Sequence, residues 1–185
     1  MAAALERDAG DEVLLTDPVY PYYPGKTRML GGDATFVPAN RDGSLDVDAY
    51  REAMGDETGL VVLNTPNNPT GAVYDHAKVA TIVRLCEEHD AVAVVDEVYD
   101  HFDLSGTFES ALTIDSEHCV VTSGFSKSLA ITGFRVGYAI FPEWLAENAK
   151  ARHMLVNVAT TRPGQYAVLR GLEGPTRPTT RPPGS

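Results

Sequence analysis

Residues 122–139 read T-S-G-F-S-K-S-L-A-I-T-G-F-R-V-G-Y-A, and what flanks them decides the fold. Upstream lies Val120-Val121-Thr122-Ser123, a β-branched run of the kind that forms a buried strand. Downstream, Arg135-Val136-Gly137-Tyr138-Ala139-Ile140 is a second strand with close-packing glycines. Between them one lysine, Lys127, stands among small and hydroxylated residues, with Arg135 eight positions later. A lysine held at a strand exit among apolar neighbours has its ammonium form disfavoured by desolvation. That frees a neutral amine as a nucleophile toward a carbonyl. A solvated loop lysine and a surface arginine would read the same in isolation, so the rest of the chain has to choose.

Composition narrows the choice. The chain has 185 residues and a formal charge of −11, which argues against nucleic acid and anionic membrane as partners. A single domain of this length buries roughly 70% of its unfolded surface. No run approaches the roughly 18 apolar residues of a transmembrane helix. The start, M-A-A-A-L-E-R-D-A-G-D-E, has acids where a signal peptide is apolar. Two cysteines are too few for a disulfide scaffold. Cys86 on the apolar face of a predicted helix and Cys119 at the start of a strand read as small buried hydrophobes in a reducing cytoplasm. No third or fourth ligand stands at metal spacing, so no metal is expected.

Taken in order, apolar strands alternate with amphipathic helices. Strands are predicted near 12–16, 34–37, 59–63, 91–95, 118–122 and 136–140. Residues 1–9 read as the tail of a helix stopped by Gly10. After the first strand comes D-P-V-Y-P-Y-Y-P-G (17–25), turn-rich, with a helix following it to about Leu30. Its G-K-T at 25–27 is no phosphate loop, because the required earlier glycine is Tyr20. Asp46 and Asp75 are placed to cap helices, and Val79, Ile82, Val83 and Cys86 share one face of the second. Trp144–Val158 reads as a helix and Gln165 begins another. The last residues, G-P-T-R-P-T-T-R-P-P-G-S, cannot build a core and read as a disordered tail, 173–185. The alternation predicts βαβ units, hence an α/β fold: a three-layer sandwich around a mostly parallel sheet. Polar clusters recur just after residues 63, 95 and 123, at strand carboxyl ends, which is where such sheets bind ligands.

Those clusters suit a flat, anionic, electron-withdrawing cofactor that carries an aldehyde. Lys127 would react with the aldehyde, an acid at a strand end would hold a ring nitrogen protonated, and an arginine would anchor a phosphate. Four motifs then occur in one order: Asp17-Pro-x-Tyr20-Pro, Asn64-x-Pro-x-Asn68-Pro-Thr-Gly71, Asp96-Glu-x-Tyr99, and Ser126-Lys127 followed by Gly133-x-Arg135-x-Gly137-Tyr138. On these motifs the chain resembles the large domain of the class I/II aminotransferases, fold-type I enzymes dependent on pyridoxal 5′-phosphate (PLP), over residues 1–172. The resemblance implies one antiparallel strand in the sheet. It makes Lys127 the Schiff-base lysine and proton-moving base, and Asp96 the partner of the ring nitrogen. Tyr99 and Asn68 become donors to the phenolic oxygen, Arg135 the phosphate anchor, and Tyr20 the ring that stacks on the cofactor. Tyr22, Tyr23, Asn64, Asn67 and Glu97 are read as structural. The implied partners are an amino acid and a 2-oxo acid, with a homodimer or self-association.

The chain departs from that family in three places. Gly124 stands where many members have a phosphate-binding serine. Ser123 or Ser126 would compensate, and Ser126 is counted with the cofactor site. The Gly-rich phosphate loop and N-terminal arm that precede the large domain are expected to be missing. So is the small domain with its carboxylate-binding arginine, which leads to the expectation of a fragment truncated at both ends. Three readings follow: an aminotransferase completed by other segments, a non-catalytic remnant that binds PLP weakly, or a PLP-dependent lyase. A truncated large domain is also expected to expose apolar surface near Trp144, Leu145, Leu155 and Val158.

Overall fold

The computed structural model describes residues 12–174. The predicted helix at 1–9 and most of the predicted tail lie outside that span. Six strands form one sheet: β1 (Glu12–Asp17), β2 (Asp33–Pro38), β3 (Thr58–Asn64), β4 (Val92–Asp96), β5 (Cys119–Gly124) and β6 (Gly137–Ile140). Their order is β2-β1-β3-β4-β5-β6, with every pair parallel except β5–β6. The six strands and the single antiparallel pair match the reading from sequence, with boundaries within two residues.

Helix α1 (Tyr22–Met29) connects β1 to β2, α2 (Val47–Ala53) connects β2 to β3, and α3 (His76–Glu88) connects β3 to β4. From β1 the chain steps outward to β2 and then reverses to reach β3 on the other side of β1. Right-handed crossovers in opposite directions put their helices on opposite faces. The packing follows that rule. Leu14, Val61, Leu63, Ala93, Val95 and Val121 pack with Tyr50, Val79, Ile82 and Val83 of α2 and α3. The alternate residues Val13, Leu15, Leu60, Val62, Val92 and Val94 pack with Tyr23 of α1 and with α5 (Glu143–Val156). β3 is buried at every position, as a central parallel strand covered on both faces must be. Asp46 and Asp75 accept hydrogen bonds from Ala49 N and Lys78 N, so both predicted caps are in place.

Three details differ from the reading above. Helix α1 begins at Tyr22 rather than after Gly25. Pro24 then sits in the first helical turn, where a missing N–H costs nothing. Arg135 precedes β6 instead of opening it, and has left-handed backbone (φ 56°) at the end of the 3-10 turn Thr132–Phe134. Leu145, expected on an exposed patch, is 2% exposed and packs with Val13, Leu60 and Val92. Its helical neighbours Leu155 and Val156 are the exposed ones, at 83% and 87%. No helix among the described residues is long and apolar enough to cross a membrane.

Candidate active site

The reversal of direction at β1 and β3 leaves a crevice at their carboxyl ends, since the connections there leave toward opposite faces. A cavity of about 600 Å³ lies at this edge of the sheet. Tyr20, Tyr22, Tyr23 and Lys26 line it from the β1–α1 segment, Asn64 and Asn68 from the end of β3, and Asp96 and Tyr99 from the end of β4. The β5–β6 connection, which includes the one-turn helix α4 (Phe125–Ser128), adds Ser123, Ser126, Lys127, Thr132 and Arg135. All seven residues singled out from sequence, Tyr20, Asn68, Asp96, Tyr99, Ser126, Lys127 and Arg135, therefore line one cavity.

Asp96 is held from two sides. Val98 N donates to its Oδ1 at 3.0 Å, and the Tyr23 hydroxyl donates to Oδ2. A carboxylate offers about four acceptor sites, so two remain for a ligand. Burial, reinforced by the Asp96 charge, pushes the Tyr23 phenol well above its ordinary range, so it stays a donor at any working pH. Asn64 ties the neighbouring strand end into the same frame. Its Nδ2 donates to Asp96 O at 3.0 Å while its Oδ1 accepts from Asn68 N at 2.8 Å. Asn68 Nδ2 in turn donates to the Tyr99 hydroxyl at 3.3 Å. That leaves one amide hydrogen of Asn68 and the hydroxyl hydrogen of Tyr99 free for a common acceptor.

Lys127 Nζ lies 5.3 Å from the centre of the Tyr99 ring, within cation–π range. Arg135 donates from NH1 to Thr132 O at 2.9 Å, which turns its guanidinium back along the cavity wall. Glycine is required where β5 meets β6, because a Cβ on Gly137 would come within 2.9 Å of Ser123 O. That close approach keeps Lys127 and Arg135 on the one β5–β6 connection that lines the cavity. Tyr20 is supported edge-on by the rings of Tyr22 and Tyr23, at 4.9 and 5.9 Å between centres. Glu97, read as structural, accepts from Ser110 Oγ and Ala111 N and is buried away from the cavity; burial raises its carboxyl against those two bonds. Both cysteines are likewise inert: burial raises Cys86 and pushes the Cys119 thiol up to about 12.

Three residues read as structural from sequence, Tyr22, Tyr23 and Asn64, also line this cavity, and Tyr23 bonds Asp96 directly. A signal for it existed: Tyr23 and Thr27 are four apart on α1, Thr27 is fully buried, and the shared face turns Tyr23 inward.

The site and sheet together define an α/β domain with a lysine-bearing, anion-attracting cavity at its carboxyl edge. The chain belongs to the aminotransferase class I and II family, whose pattern matches residues 1–178. It is 36% identical over 177 residues to an aspartate/prephenate aminotransferase of Thermus thermophilus, covering 89% of this chain and 43% of that protein. Among solved structures, an aspartate aminotransferase from Thermotoga maritima superposes with a TM-score of 0.87 at 31% identity, over 95% of this chain and 48% of the other. An alanine aminotransferase from Pyrococcus furiosus gives 0.83 at 31%, over 95% and 47%. The chain thus spans a little under half the length of the relatives it matches.

Proposed function

We propose that this chain is the cofactor-holding large domain, residues 1–172, of a PLP-dependent aminotransferase that moves an amino group from an amino acid to a 2-oxo acid. The observation that carries the proposal is the match between the free valences of the cavity and the groups of PLP. The open acceptor sites of Asp96 suit a protonated ring nitrogen. The spare hydrogens of Asn68 and Tyr99 suit one phenolic oxygen, and the Arg135 guanidinium with the Ser126 hydroxyl suits a phosphate. When bound, PLP supplies an aldehyde carbon and an electron-withdrawing ring. Asp96 keeps the proton on the ring nitrogen, and Tyr23 and Val98 N keep Asp96 aimed. Tyr20 covers a face of the ring and keeps water from it. Lys127 Nζ would hold the group through its amine and would hold the proton exchanged at the substrate Cα. Two thiols raised by burial, Cys86 buried and Cys119 half-buried, agree with a cytoplasmic setting.

The test is to mix the chain with PLP, reduce with borohydride and map the adduct by peptide mass. The expected result is visible absorbance before reduction and a pyridoxyl group on Lys127. An adduct spread over surface lysines, with no visible band, would sink the reading.

The same proposal includes self-association as a homodimer. Met154, Leu155 and Val156 at the end of α5, and Val158 just after it, stand exposed, apolar side chains that a second copy would cover. Light scattering should give a mass that rises with concentration through the micromolar range, and Leu155→Glu should lower it. A concentration-independent monomer would rule this out.

A further inference from the structure

Lys26 is the one cation of the cavity that the proposed reading leaves without work. It projects from α1 into the same cavity as Lys127 and Arg135, and its ammonium meets no hydrogen-bond acceptor or carboxylate among the described residues. Tyr22, four residues earlier and so on the same helical face, lines the same cavity. The charged groups of the cavity are Lys26, Lys127 and Arg135 against Asp96 alone, in a chain whose formal charge is −11. A cavity that concentrates positive charge on an acidic surface is built to draw in an anion.

If the proposed reading holds, the cofactor accounts for most of these groups. Its phosphate takes Arg135, its ring nitrogen takes Asp96, its phenolic oxygen takes Asn68 and Tyr99, and its aldehyde takes Lys127. Lys26 and Tyr22 remain for the substrate. A substrate's own α-carboxylate must stay beside the reacting carbon, near Lys127 at the end of β5. Lys26 comes instead from the β1 side, three strands away in the sheet order, about 14 Å at usual strand spacing before the side chain reaches back. An ammonium entering from there meets the far end of a substrate. Resting on that reading, we infer that Lys26, assisted by the Tyr22 hydroxyl, is a specificity-determining residue that holds a distal carboxylate, so that dicarboxylic substrates are favoured over monocarboxylic ones. Family membership does not decide this point, because relatives at 36% and 31% identity are named for aspartate/prephenate and for alanine respectively.

Binding of two unreactive probes tests the inference without turnover. Succinate and propionate are titrated into the whole chain by calorimetry, with and without saturating PLP. The wild-type chain should prefer succinate by about fivefold, the scale of one partly exposed ion pair. Lys26→Gln should bring the two ligands within about twofold, and Lys26→Arg should restore the preference. Lys26 is exposed and both replacements are good helix formers, so the fold is retained. An unchanged preference in Lys26→Gln, or none in the wild type, overturns the inference. Failure of the PLP reading shows separately, as absence of the Lys127-linked absorbance, and overturns the inference with it. With that absorbance present, the PLP-saturated titrations decide Lys26, because without cofactor Lys127 and Arg135 are open to a carboxylate as well.

Discussion

Lys127→Ala is expected to abolish the visible absorbance that the chain acquires from PLP, completely and with no loss of fold. The amine of Lys127 makes no hydrogen bond among the described residues, so its removal strands no buried acceptor, and α4 tolerates alanine. The competing lysines are poorly placed. Lys78 is occupied by Leu45 O at 2.8 Å on the far side of the loop after β2, and Lys150 sits on exposed α5 beside Glu147. Lys26 alone among them shares the cavity, which makes Lys26→Ala the informative control: it should keep the band in full. A band that survives in Lys127→Ala and disappears in the double variant would move the reactive amine to Lys26 and overturn both assignments together.

Asp96→Asn should weaken PLP binding by roughly tenfold to a hundredfold. That is the scale of one hydrogen bond to a charged group, about 1.5–3 kcal/mol at 1.4 kcal/mol per decade. The amide brings one carbonyl oxygen to a place where Val98 N and the Tyr23 hydroxyl each now have their own oxygen, and it turns an N–H toward the protonated ring nitrogen. Tyr23→Phe should cost less, up to about tenfold, because Val98 N still holds one oxygen of an intact carboxylate. Fluorescence titration of PLP against the three chains gives the order wild type, Tyr23→Phe, Asp96→Asn. If Tyr23→Phe proves the weaker binder of the two, Asp96 is not the group that meets the ring nitrogen. The Tyr23 phenol is raised far above neutrality, so no step in the pH dependence of binding below pH 9 should vanish in Tyr23→Phe.

The strand ends were the legible part of this protein. A β-branched run that stops abruptly at an asparagine, an aspartate or a Ser-Gly marks a parallel strand and its ligand edge at once. Asn68, Asp96 and Lys127 are therefore legible in the sequence as neighbours on one edge, and all three line the cavity. Which of three near-consecutive tyrosines turns toward Asp96 was not legible in the same way. It depends on the phase of α1, and the phase depends on a start at Tyr22 that three prolines obscure. Leu145 was misplaced for a related reason. Trp144 and Leu145 are neighbours in sequence but point 100° apart on a helix, and Leu145 with Ala149 forms the stripe that meets the sheet. Arg135 lines the cavity, yet its left-handed backbone is a property of the turn that no residue type announces.

The parallel register of the sheet also sets a timetable. β1 pairs with β2 on one side and β3 on the other, and each of these two partners follows a crossover helix in the chain. During synthesis the tyrosines after β1 and the asparagines after β3 are present well before Lys127 and Arg135. The cavity is complete only with β5 paired to β4 and β6 folded back upon β5. A molecule that needs groups from both halves can grip the finished sheet but not its precursors. Its affinity is then added to the stability of the completed fold by mass action, and the ligand works as a latch on the last two strands.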